Sequence, residues 1–178
     1  MDRASQRHLP RLLADAYRGR MFVHWTMGIS NRRIGWLTQE FHAAFRSTLE
    51  RNAEHYGVAV PAYCLMPDHL HVLAAGMNHN SDQALWSRAV RRRLNEVLKP
   101  FSLQKQAYDH ILRTNESGPD AFTALAFYIS QNPVRAGHVT ASTDWPFVGA
   151  KVPALPGLDP RHATFREDWW RYWNSLPG

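Results

Sequence analysis

Apolar residues along the chain fall into short runs separated by turn chemistry, and the spacing within each run predicts an element. Met21 to Ile29 is rich in apolar and aromatic residues and stops before Ser30-Asn31, so it reads as a first strand. From Leu37 to Tyr56 the positions Leu37, Phe41, Ala44, Phe45, Leu49 and Ala53 recur at three and four, the period of an amphipathic helix, and Gly57 stops it. Val58 to Met66 reads as a second strand interrupted by Pro61, and His69 to Ala75 as a third, with Pro67-Asp68 as the tight connection between them. Ser81, with Asp82 behind it, is expected to cap a second helix running to about Leu98, which Pro100 ends. Residues 101–113 are less regular and hold a short strand or helix at Tyr108 to Arg113. Gly118-Pro119-Asp120 opens a third helix, Ala121 to about Asn132, which Pro133 terminates. A turn at Ala136-Gly137-His138-Val139 leads into a last short segment. The tail from Phe165 to Leu176 carries Trp169, Trp170, Tyr172 and Trp173 and reads as a terminal helix docked on the core.

This order predicts an α+β fold: a ferredoxin-like split βαβ sandwich whose antiparallel sheet has the first and third strands side by side at its centre. Helices are expected on one face, with a C-terminal aromatic tail. A length of 178 residues with 44% hydrophobic content suits a single domain over 1–178, with 1–20 as an N-terminal extension and 150–178 as the tail. The apolar runs are too short to cross a bilayer and none follows the N-terminal basic residues as a signal peptide would, so the expected location is the cytoplasm. Cys64 is the single cysteine, which excludes an internal disulfide and a cysteine-rich zinc site.

Charge changes the picture. A net charge of +6, much of it arginine, favours a polyanionic partner whose phosphates such side chains can neutralise. Candidate chemistry begins with His69 and His71. On a strand they share a face while Leu70 and Val72 take the other, so two imidazoles sit side by side over a hydrophobic core as half of a metal site. Ten histidines in this length give roughly half of one such pair by chance, so the pair needs a partner. The third helix offers one, because Tyr128, Gln131 and Asn132 fall within one turn. A phenol with an ordinary pKa near 10 is a weak nucleophile at neutral pH and needs a base or a cation beside its target. A divalent ion held by two imidazoles and the side-chain oxygen of Gln131 or Asn132 would polarise a phosphate, leaving Tyr128 to attack it. Asn132, lying before Pro133, also suits simple helix C-capping.

At these residues the sequence resembles a known family. Met66-Pro67-Asp68-His69-Leu70-His71-Val72-Leu73, together with Tyr128-Ile129 and Asn132-Pro133-Val134-Arg135-Ala136-Gly137, is similar to the single-tyrosine HUH transposases, in particular the REP-associated tyrosine transposase branch. Val23-His24-Trp25-Thr26, the block from Gln104 to Arg113 and Asp144-Trp145-Pro146-Phe147 extend the resemblance over about residues 20–150. It implies a metal-dependent enzyme that cuts and rejoins single-stranded DNA beside imperfect hairpins through a 5′-phosphotyrosyl intermediate. Carried across, His69 and His71 become ligands of Mg²⁺ or Mn²⁺, Tyr128 the nucleophile, and Asn132 the third ligand with Gln131 as the alternative. Ser130-Gln131 departs from the residues often found there in this branch, and Leu73 argues against nucleotidyl transferases with a His-x-His-x-His motif.

For the DNA itself, Arg88, Arg91 and Arg92 recur at three and four on the second helix with Arg93 beside them, a basic stripe expected to grip phosphates near the site. Arg32, Arg33, Lys105, Arg113 and Arg135 are further candidates. The expected partner is single-stranded DNA with REP-like hairpins, bound by a monomer or homodimer, and no membrane. A protein that binds DNA hairpins but is catalytically silent is the alternative of the same fold. A phosphoesterase working through activated water is a third class.

Overall fold

The computed structural model describes residues 14–113 and 116–177, so the first thirteen residues of the expected N-terminal extension lie outside the described residues. Five strands, β1 (Phe22–Gly28), β2 (Val58–Met66), β3 (His69–Gly76), β4 (Tyr108–Ile111) and β5 (Val148–Lys151), form one antiparallel sheet in the order β4-β1-β3-β2-β5. The helices are α1 (Gln39–Tyr56), α2 (Gln83–Val97), α3 (Pro119–Ser130), the single turn α4 (Asn132–Arg135) and α5 (Phe165–Ser175). β1 and β3 pair at the centre, as the sequence pattern predicts, with Thr26 opposite His71 and Gly28 opposite His69. Among the described residues no helix is long and apolar enough to cross a membrane.

Strand alternation divides the sheet into two faces. Val23, Trp25 and Met27 of β1 and Leu70, Val72 and Ala74 of β3 pack with Phe41, Phe45 and Leu49 of α1 and Trp86, Val90 and Leu94 of α2. On the opposite face Phe22, Leu73, Ala75, Cys64 and Met66 pack with Phe122, Ala126 and Ile129 of α3 and with Phe165 and Trp169 of α5. The expectation of helices on one face therefore holds for α1 and α2 alone. The reason is that β2 is buried at every position, so its second face also needs an apolar cover, which α3 and α5 supply.

Local chemistry sets the boundaries. Thr38 caps α1 through Phe41 N at 3.1 Å, and Gly57 ends the helix with φ of 61°. At α2 the capping side chain is Asp82, which accepts from Leu85 N at 2.8 Å, in place of the expected Ser81; the Ser81 hydroxyl instead donates to Gly57 O at 2.6 Å. Pro61 does not interrupt β2: the strand runs through it with a register shift between Ala59 and Ala62, where a residue without an N–H costs no ladder bond. The third helix stops at Ser130, earlier than expected, and Pro133 sits within a separate turn, α4. β5, unassigned from the sequence, covers the outer edge of β2. The aromatic tail docks as expected. Trp169 is fully buried and stacks on Phe122 with ring centroids 5.5 Å apart and planes 10° apart.

Candidate active site

Period two on β3 aims His69 and His71 at the α3 face, the same face as Leu73 and Ala75. The two rings meet edge to face, and His69 Nε2 lies 3.1 Å from His71 Nε2. Each ring is held from behind. The Asp68 carboxylate can only accept, so His69 Nδ1–H donates to Oδ1 at 2.6 Å and Nε2 keeps its lone pair. His71 Nδ1 faces His24 Nε2 at 3.1 Å and Thr26 Oγ1 at 3.3 Å, both on neighbouring β1. With its proton on Nδ1, His71 also turns a lone pair on Nε2 toward His69. Asp68 is itself held by Arg32 at 3.0 Å, and Trp36 Nε1–H donates to Pro67 O at 2.6 Å across the turn.

Electrostatics fit this arrangement. Burial, with His24 and His69 beside it, pushes the His71 imidazole down to about 3; burial and His110 push His24 down to about 4. Both rings are neutral at neutral pH, the form a metal ligand needs. Burial works to raise the Asp68 carboxyl, but the His69 hydrogen bond and the His69 and Arg32 charges hold it below its ordinary range. Cys64, buried beneath the same face, is pushed up to about 12 by burial and is no nucleophile.

The imidazole pair fits a metal ion by its spacing. Two nitrogens 3.1 Å apart, each about 2.1 Å from a shared ion, would subtend roughly 95°, close to the right angle of adjacent octahedral ligands. Among the described residues no group of three or more His, Cys, Asp or Glu converges as a metal site. Further ligands would have to be amide oxygen, water or phosphate.

Tyr128 lies on α3, on the helix that covers the histidine face, and is 42% exposed. Its ring carries the Arg135 guanidinium 4.2 Å from the centroid. Asn132 donates its amide Nδ2 to Tyr128 O at 3.3 Å and Ile129 O at 3.1 Å, capping the open end of α3. Gln131 donates Nε2 to Ser142 Oγ at 3.0 Å. Each amide nitrogen is committed and each side-chain oxygen is left as the candidate ligand. No hydrogen bond or ring contact described here joins Tyr128, Gln131 or Asn132 to the histidines. What the two halves share is the sheet face on which α3 packs.

The arginines are scattered. α2 packs with α1 on the face opposite the histidines, so the stripe of Arg88, Arg91, Arg92 and Arg93 does not lie beside the site as expected; helical period puts it on the outer side of that layer. Arg91 donates to Gln104 O, and Arg93 pairs with Glu96 at 2.5 Å. Arg33 stacks over Phe101 at 4.6 Å, while Lys105 and Arg113 are exposed. Of the candidates, Arg32 and Arg135 touch residues of the site.

Sequence reasoning did not single out His24 and Asp68 as site residues. Asp68 was visible as the residue before His69 in the turn. His24 shows only as a polar position in an apolar strand, and its approach to His71 depends on the pairing of β1 with β3.

Three comparisons bear on this geometry. The family model described as "Transposase IS200 like" matches residues 19–85, which hold the histidine half of the site and not Tyr128. A protein of Haemophilus influenzae assigned to the REP-associated tyrosine transposases is 26% identical over 160 residues, covering 82% of this chain and 85% of that protein. The solved structure of a REP-associated tyrosine transposase bound to a REP hairpin superposes with a TM-score of 0.65 at 21% identity, covering 93% of this chain and 87% of that one. Family model, relative and fold agree with the resemblance carried by the two motifs: over residues 19–85 the chain is similar to the IS200-like transposases, and over most of its length to REP-associated tyrosine transposases.

Proposed function

We propose that the protein is a metal-dependent endonuclease and strand transferase that acts on single-stranded DNA at hairpin-associated sites. The observation that carries this reading is the convergence of His69 Nε2 and His71 Nε2, 3.1 Å apart, on the face covered by the helix of Tyr128. The solved relative bound to a REP hairpin supports hairpin DNA as the partner. DNA as substrate would place the protein at the nucleoid, in the cytoplasm. The protein would act on this DNA as a monomer or a homodimer.

In this reading His69 and His71 hold Mn²⁺ or Mg²⁺, with the amide oxygen of Asn132, or of Gln131, as third protein ligand. Nitrogen donors favour the transition ion Mn²⁺ over Mg²⁺. The bound ion supplies Lewis-acid stabilisation of charge on the scissile phosphate. Tyr128 Oη attacks the phosphorus; the P–O3′ bond breaks, the electron pair leaves with O3′, and the phosphate remains on the tyrosine as a 5′-phosphotyrosyl ester. The phenol proton is lost to solvent and the departing 3′ oxygen takes one up, so the strand end is a free 3′-hydroxyl. Reversal with a different 3′-hydroxyl joins strands. Asp68 and His24 keep the two rings in the tautomers that present Nε2.

The test uses a labelled hairpin oligonucleotide with a single-stranded flank and Mn²⁺, resolved on a denaturing gel. A protein–DNA adduct lost in Tyr128→Phe and in His69→Ala is expected. Hairpin binding that needs neither metal nor Tyr128, without cleavage, would mean the silent binder; cleavage without an adduct that survives Tyr128→Phe would mean a water-activating phosphoesterase.

A further inference from the structure

The segment after Tyr128 is built around that residue. In an unbroken helix Arg135, seven residues on, would sit about 10.5 Å further along the axis than Tyr128. Here α3 ends at Ser130 and a separate turn, α4, starts at Asn132 with Pro133 inside it. Across this break Arg135 lays its guanidinium over the Tyr128 ring, 4.2 Å from the centroid. Two further residues fix the break. Asn132 closes the carbonyls of Tyr128 and Ile129. Gly137, at φ of 73°, ends α4, and its N–H donates to Val134 O at 3.0 Å. The run Asn132-Pro133-Val134-Arg135-Ala136-Gly137 is therefore a seat whose output is one cation on one aromatic face.

We propose that Arg135 is the positioning residue of Tyr128. An exposed phenol on a helix otherwise samples several rotamers on a fast timescale, few of them aimed at a phosphate. A flat guanidinium on its face restricts that choice, and its N–H donors can serve the oxygens of a phosphate that Tyr128 attacks. Arg135 thus acts through the orientation of Tyr128 as well as by charge. The assignment rests on Tyr128 being the nucleophile.

Single-turnover adduct formation at saturating hairpin oligonucleotide with Mn²⁺ is the main measurement, alongside the dissociation constant for the same DNA and the melting temperature. Arg135→Ala is expected to slow adduct formation by about 10- to 100-fold, to change affinity by about threefold or less because one phosphate contact is lost at most, and to leave melting unchanged. Arg135→Lys, which keeps the charge and loses the flat face, should stay at least about fivefold below the parent rate. If Arg135→Ala melts low, Arg135→Gln carries the same comparison. Normal cutting by Arg135→Ala, a defect that vanishes at saturating DNA, or full rescue by lysine overturns the proposal. Persistence of the adduct in Tyr128→Phe would remove the nucleophile assignment first. Loss of the adduct in Tyr128→Phe with a normal Arg135→Ala would overturn the Arg135 role alone.

Discussion

At the scale of single residues, the candidate site depends on groups that do not face the ligand. His24 and Asp68 hold the far nitrogens of His71 and His69, and such supporting contacts fix both tautomer and ring angle. His24→Ala and Asp68→Asn are each expected to weaken Mn²⁺ binding by about 10- to 100-fold in isothermal titration calorimetry while leaving the fold intact. Unchanged affinity in both would remove the supporting role. The contrast with His69 and His71 shows what a sequence can carry. Their pairing is local, since period two alone puts both on one face. The His24 contact arises across two strands far apart in the chain and needs the register of β1 against β3. Asn132 was legible as both a cap and a ligand; its amide nitrogen takes the first role, and its oxygen is the group left for the second.

At the scale of elements, the helical period located α1 and α2, and apolar runs bounded by turn residues located β1, β2 and β3. β5 was not legible. Four residues give no period, and its pairing with β2 is set by an edge that the sequence does not reveal. The second helical layer was hidden for a related reason. A strand buried on both faces, as β2 is, reads as a plain apolar run that does not say what covers it. α5 provides part of that cover through Trp169, packed among Phe22, Phe122 and Trp173. Trp169→Ala should cost about 3–5 kcal/mol in urea unfolding, the range for truncating a buried large aromatic. A loss under about 1 kcal/mol would show that α5 is only loosely docked.

At the scale of the whole molecule, buried neutral histidines give stability a pH dependence. His24 and His42 are pushed down to about 4 and His71 to about 3, in each case first by burial. Arg46 adds to the effect at His42. Above an unfolded histidine's ordinary pKa near 6.5, folded and unfolded chains carry the same protons at these positions. Below it the unfolded chain takes up protons that the folded chain refuses, so stability falls with pH. The melting temperature is expected to be level above about pH 7 and to fall steadily from about pH 6.5 to 4.5, before most carboxylates titrate. A level profile across that window would mean these rings titrate normally in the folded protein.

The packing of Trp169 against Phe122 has one more consequence, and it concerns time. Phe122 belongs to α3, so the helix that carries Tyr128 rests on a tryptophan translated about forty residues later. The strands that align the histidines are made first, and at roughly 5–20 residues per second several seconds separate them from α5. Over that interval α3 lacks the tryptophan on which Phe122 stacks in the finished fold. The packing that settles the helix of Tyr128 is thus complete only once α5 has been made.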